Sequence, residues 1–217
     1  MQQDLPREVV THLLSRMPDR IGRILARVLP GLDPDLPVTF VEPVYEGPDA
    51  SRDQGDLVIL LGHPNKPDLA VVVELQLEIV PGKPLEWARY KVDARARWCC
   101  PAEVWILAPD PEVASWASQP VDEGLLFRMV HLVLGSESFP EICFEDVSDH
   151  PPAAVLCALL QCRGVEDVPL FRKVLFLLAF LPRPECIGYG EVLRRHLPLS
   201  FTRLPEISRF FDVGRGE

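Results

Sequence analysis

Metal-cluster spacing is missing from this chain. Its six cysteines, Cys99, Cys100, Cys143, Cys157, Cys162 and Cys186, form no Cys-x-x-Cys pair and are not interleaved with histidines. Neither a zinc cluster nor a disulfide framework is implied, and the thiols read as reduced, mostly buried small hydrophobes. Positive charge is also short, with 22 Lys and Arg against 32 Asp and Glu for a formal net of -10. That balance excludes a general polyanion-coating protein, because non-specific nucleic-acid affinity comes from many cations neutralising phosphates; any such contact has to be local. Long apolar runs are lacking too. The most apolar stretch, Val174 to Leu181, is too short to cross a bilayer, and MQQDLPREVV has no basic region followed by an apolar one. The expectation is a cytoplasmic protein with no membrane partner. There is no internal repeat and no low-complexity tract, and the 23 prolines are scattered as punctuation between elements.

What is present suffices for one substantial core and a small helical lobe, given 217 residues of which 47% are hydrophobic. Residues 4 to 29 carry apolar side chains at three- and four-residue spacings, which predicts helix, with Pro18 breaking or kinking it. A first strand is expected over Val38 to Tyr45 and a loop over Glu46 to Gly55. Asp56 to Leu61 (DLVILL) and Leu69 to Ile79 (LAVVVELQLEI), joined by GHPNKPD, read as a hairpin. A helix follows from Pro84 to Trp98, with Trp87, Tyr90, Ala94 and either Arg97 or Trp98 as its inward stripe. Strands at Glu103 to Ala108 and Met129 to Leu134 enclose a short helix at Glu112 to Ser118. Ala153 to Leu160, Leu170 to Phe180 and Glu191 to His196 read as packed helices. The Leu170 to Phe180 run reads as a buried helix or a dimer contact, its apolar density on more than one face favouring a homodimer.

The second hairpin strand carries polar groups that an ordinary core strand would not. Period-two geometry puts Val71, Val73, Leu75 and Leu77 on one side and Val72, Glu74, Gln76 and Glu78 on the other, so one face is expected to be core and the other to carry chemistry. Asp56 opens the neighbouring strand, 74 - 56 = 18 positions before Glu74, and can share that face. Two carboxylates close together repel unless a cation lies between them, and an oxygen-rich site with few protein ligands suits Mg²⁺ or Mn²⁺. Such an ion can act on a phosphodiester.

This order of helix, strand, Asp-bearing strand, Glu-x-Gln strand, helix and strand resembles the αβββαβ core of PD-(D/E)XK nucleases. Asp56, Glu74 and Gln76 stand where that superfamily has its Asp and its (D/E)XK triplet. The stretch from VVVELQLEIV through Lys83-x-x-x-Trp87-x-x-Tyr90, Cys100-Pro101 and APDPEVASWA is similar to bacterial proteins with a VVExQ strand. Those resemble in turn the recombination-promoting nuclease and transposase group. The likeness covers residues 5 to 165. It implies a restriction-endonuclease-like α/β fold with a mixed central sheet: residues 1–150 as the nuclease-like domain, and 151–217 as a C-terminal helical lobe packed on it. It also implies a divalent-metal-dependent DNA endonuclease whose metal ligands are Asp56 and Glu74.

One position departs from the pattern. The usual lysine is Gln76, which can hold a water or a substrate oxygen but supplies no charge. The segment Lys83 to Trp98 offers Lys83, Arg89, Lys91, Arg95 and Arg97 against Glu86 and Asp93. Lys91 and Arg95, four apart on one helical face, are the expected replacements. Plainer readings stand beside these. Trp87, Tyr90 and Trp98 suit core packing better than base stacking. Glu42 and Glu78 suit solvated or structural carboxylates, and the five histidines lack ligand spacing. The basic helix face can be simply solvated. A catalytically degenerate member acting as an interaction or regulatory module is the alternative, on the strength of the -10 charge and Gln76.

Overall fold

A computed structural model describes residues 7–41, 55–119, 132–135, 150–162, 167–198, 201, 204 and 205. The chain divides into two compact units, residues 18–138 and residues 1–17 with 139–217. In this division the first helix belongs with the C-terminal helices. Among the described residues no helix is long and apolar enough to cross a membrane.

The unit of residues 18–138 is mixed α/β. Pro18 starts a helix rather than merely kinking one: α1 (Arg7–Ser15) ends before it and α2 (Pro18–Val28) begins on it. Proline is tolerated in a first turn, where its missing N–H would have no partner. Strand β1 (Val38–Val41) pairs antiparallel with β2 (Leu57–His63), which pairs antiparallel with β3 (Lys66–Leu75). Helix α3 (Lys83–Trp98) carries the chain to β4 (Ala102–Ala108), parallel to β3, and α4 (Pro111–Ala117) to β5 (Leu132–Gly135), parallel to β4. The described sheet runs β1-β2-β3-β4-β5. The expected first and fifth strands extended over 42–45 and 129–131, which lie outside the described residues. Asp110 caps α4, accepting from the N–H groups of Glu112 and Val113.

The hairpin is tighter than the expected loop, since both strands run on through its polar residues to His63 and Lys66, leaving Pro64-Asn65 as the turn. One irregularity sits between Leu61 and Gly62, where the register changes from Leu61↔Leu69 to Gly62↔Pro67 and Asp68 is left as the extra residue of a bulge. Gly62 has φ +97°, and a Cβ there would run into the Asp68 carboxylate and stand 3.0 Å from its backbone nitrogen. Glycine is what that left-handed, crowded position tolerates.

Burial corrects the expected division of β3 into a core face and an open face. Every residue from Leu69 to Leu75 is buried. The even-numbered side chains Ala70 and Val72 join Val58, Leu60, Val104 and Ile106 beneath Trp87, Tyr90 and Ala94 of α3 and Val113 and Ala117 of α4. A strand between an antiparallel and a parallel neighbour, with a helix crossing over it, is interior on both sides. Trp87 and Tyr90 lie under the helix as the stripe predicts, and Trp87 meets Trp116 edge-on at 5.4 Å between ring centroids.

The other unit is helical as described: α1, α5 (Pro151–Gln161), α6 (Val168–Leu178) and α7 (Arg183–His196). Helix α5 is buried from Pro152 to Leu160, as a helix apolar on all sides requires, and α1, α6 and α7 pack around it. In α6, Phe171, Val174, Leu175 and Leu178 are inside, while Phe176 is exposed; Phe176 and the exposed Phe180 just beyond the helix stack edge-to-face at 4.8 Å. Of the described cysteines, Cys100, Cys157 and Cys162 are buried and Cys99 is exposed.

Candidate active site

The chain just before β2 borders the stretch of β3 that carries Glu74. The β2–β3 pairing ends at Val58↔Val72 and Leu57↔Val73, and Asp56 lies just before β2, bonded to Val73 and Leu75 on either side of Glu74. Asp56 is held at that place by its backbone N–H, which donates to Val73 O at 2.9 Å, and by its Oδ2, which accepts from the Leu75 N–H at 2.6 Å. Gly55 lets the chain enter beside β3 at this point, since a Cβ there would run into Val72. Gln76, one residue past β3, continues the ladder with its N–H on Leu107 O at 2.9 Å. Its side-chain Nε2 donates to Glu78 O at 2.5 Å, and the residue is almost wholly buried.

Glu74 is a charged group inside the sheet–helix layer, its side chain 0% exposed. A carboxylate there is costly without a counter-charge. Lys83 supplies it: its Nζ lies 2.8 Å from Glu74 Oε1 and 2.9 Å from Glu86 Oε2. The Tyr90 hydroxyl is 3.4 Å from the same nitrogen. Burial alone would lower the Lys83 pKa, but the hydrogen bond and charge of Glu74, with the hydrogen bond of Glu86, outweigh it and hold the ammonium above the ordinary lysine range. Burial, then the Glu74 charge, pushes the Tyr90 phenol up to about 12. Lys83 is the first residue of α3, next to a Gly82 cap that makes no side-chain bond. The positive end of the helix dipole disfavours a cation there, so the two glutamates, not the helix, fix its place.

Lys91 and Arg95 do not fill the role expected of them. Lys91 is paired with Glu103 Oε2 at 2.6 Å. Glu103 stands across from Val71, whereas Glu74 stands across from Ile106, three residues or about 10 Å further along the strands. Arg95 is exposed on α3. Geometry explains the correction: Lys83, Trp87, Tyr90 and Ala94 follow the i, i+4, i+7, i+11 stripe that faces the sheet, while Lys91 and Arg95 flank it. That register was readable from the sequence, as was the place of Lys83 at the head of the Lys-x-x-x-Trp-x-x-Tyr run. Glu86, three residues on, was read only as a charge to be subtracted.

The donor set can be tested for a divalent ion on its chemistry. Asp56, Glu74 and Glu86 are three carboxylates against the single ammonium of Lys83; charged in the ordinary way, these four leave two negative charges over. All donors are hard oxygens, and one or two carboxylates completed by water and phosphate is how Mg²⁺ is usually held. The donor types are those Mg²⁺ or Mn²⁺ takes, and no group of three or more His, Cys, Asp or Glu that could hold a metal ion occurs among the described residues. Comparison of the chain with protein-family models, curated proteins and solved structures gives no match.

Proposed function

We propose that residues 18–138 form a divalent-metal-dependent phosphodiesterase acting on DNA, an endonuclease of the PD-(D/E)XK type. The observation that carries this reading is the Lys83 ammonium 2.8 Å from the buried Glu74 carboxylate, with Asp56 bonded to Val73 and Leu75 on either side of Glu74. It supplies from the following helix the charge that Gln76 lacks. Asp56 and Glu74 are the metal ligands in this reading, and a bound Mg²⁺ or Mn²⁺ supplies Lewis acidity at the scissile phosphate.

The chain's own residues do the rest. The Leu75 N–H fixes the Asp56 carboxylate so that one oxygen is committed and the group cannot swing. Gln76, with its amide nitrogen tied to Glu78 O, is left with a carbonyl oxygen to orient a water. Lys83 offsets the charge that develops on phosphate, where a fixed donor is worth most in a water-poor site. Lys91 and Arg95 carry no part in this chemistry. The -10 net charge keeps encounter with DNA slow and salt-sensitive, and confines the contact to this cleft.

The competing reading is a non-catalytic interaction module, favoured by the complete burial of Glu74. Cleavage of supercoiled and single-stranded DNA, in Mg²⁺ or Mn²⁺ at low salt, separates the two. The nuclease reading expects turnover that Glu74→Ala and Asp56→Ala remove. Wild-type cleavage no greater than that of Asp56→Ala moves the conclusion to the module.

A further inference from the structure

Glu86 has no part in the reading above, yet it holds the same ammonium as Glu74. The three side chains are graded in exposure: Glu74 is 0% exposed, Lys83 15% and Glu86 31%. Lys83 thus lies between an interior carboxylate and a solvent-side one, nearly equidistant from both. In the absence of a divalent cation, Glu74 needs this ammonium as its counter-charge. Once a divalent cation is bound, the two positive charges compete for one carboxylate, and like charges that close repel strongly. Lys83 must then leave Glu74. Its flexible stem allows that, and a second acceptor decides whether the ammonium stays at the cleft or goes to water. Glu86, three residues on in α3, is already 2.9 Å away.

We propose that Glu86 is a positioning residue that receives the Lys83 ammonium when a divalent cation takes Glu74, and so keeps that charge beside the phosphate. This rests on the reading of Asp56 and Glu74 as cation ligands. Lys83 is in the same stroke a tethered competitor for the cation's place, and Glu86 sets how readily it yields.

The test is Mn²⁺ titration calorimetry, without DNA, on the full chain as wild type, E86Q, E86D, K83M and K83M/E86Q, with D56A as control and thermal unfolding to verify folding. E86Q should weaken Mn²⁺ binding about tenfold, because Lys83 has no second partner and clings to Glu74. E86D should restore most of it, and K83M should tighten it by about the same factor. In the K83M background E86Q should have little further effect, since Glu86 acts through Lys83. An equal loss in both backgrounds, or none in either, overturns the proposal while leaving the ligand reading intact if D56A still abolishes binding. No Mn²⁺ heat in any variant, K83M included, removes both. Should K83M not fold, acetylation of Lys83 read by mass spectrometry decides: added Mn²⁺ should leave it protected in wild type and expose it in E86Q, and equal protection in the two overturns the proposal.

Discussion

Lys83 lies on the inner stripe of α3 and reaches Glu74, while Lys91, two turns on and just off that stripe, reaches Glu103 instead. The two lysines should therefore separate cleanly in activity. Lys83→Ala is expected to lower kcat for DNA cleavage by about 10²- to 10³-fold, the usual cost of removing one fixed electrostatic donor. Lys91→Ala and Arg95→Ala should leave kcat within about twofold of wild type, with any loss appearing in KM and growing with salt. Steady-state kinetics at two ionic strengths checks both.

Gln76→Lys tests whether the two positions share one task. In the wild-type background a second buried ammonium adds nothing that Lys83 does not already supply, and it breaks the bond to Glu78 O; lower stability and no gain in rate are expected. In the Lys83→Ala background the same change should recover part of the lost cleavage. A double variant no more active than Lys83→Ala alone would show that position 76 does not reach the place that Lys83 serves.

Removing one partner of the Glu74–Lys83 pair should cost more than removing both. Lys83→Met leaves a carboxylate buried in the sheet–helix layer beside a Glu86 that is 31% exposed, a type of change that costs about 3–5 kcal/mol. Glu74→Leu with Lys83→Met replaces the pair by apolar groups and should be close to wild type in stability. Urea unfolding of the two variants measures the difference.

Alkali should weaken the unit of residues 18–138 through Tyr90 and Lys83. Tyr90 is pushed from 10.0 up to about 12 by burial and by the Glu74 charge. Its folded-state value lies above its unfolded one, so the stability linked to it is whole below pH 10 and drains away as pH rises through about 12. Lys83, raised likewise, acts in the same direction: its contribution is full below 10.5 and falls as pH climbs past that value. Tyr90→Phe should remove the phenol's share of the alkaline loss. Tyrosinate absorbance recorded with circular dichroism across that range follows both events.

Much of the sheet was legible because its residues speak locally. The β-branched runs around Val58 and Val72, the turn residues Pro64 and Asn65, and the Trp87–Tyr90–Ala94 stripe each identify an element without reference to any other. Parity along β3 was legible as well, since Ala70 and Val72 share one face. Coverage was not. Alternation tells which side chains share a face of β3, but not that α3 closes over that face and makes it interior. The replacement for the missing lysine was within reach of the same reasoning, since helical register separates Lys83 from Lys91; charge count alone does not. The boundary between the units was hidden for another reason. Pro18 marks where one helix stops and the next begins, and nothing nearby says that α1 joins the helices of residues 139–217.

The bulge at Asp68 has a consequence for what this hairpin can tolerate in length. Beyond the bulge, towards the turn, the partnered numbers sum to 129, as in His63↔Lys66; on the other side they sum to 130, as in Leu57↔Val73. The even sum sets residues of like parity opposite each other, as Val58 opposite Val72. Deleting Asp68 would bring Gly62↔Pro67 and Leu61↔Leu69 next to each other and leave every pair down to Leu57↔Val73 as it is. The extra residue is slack in the hairpin: one residue can be lost at position 68 without moving Leu57 from Val73, whereas losing one within β3 beyond it would slip the strand and turn its side chains to the other face.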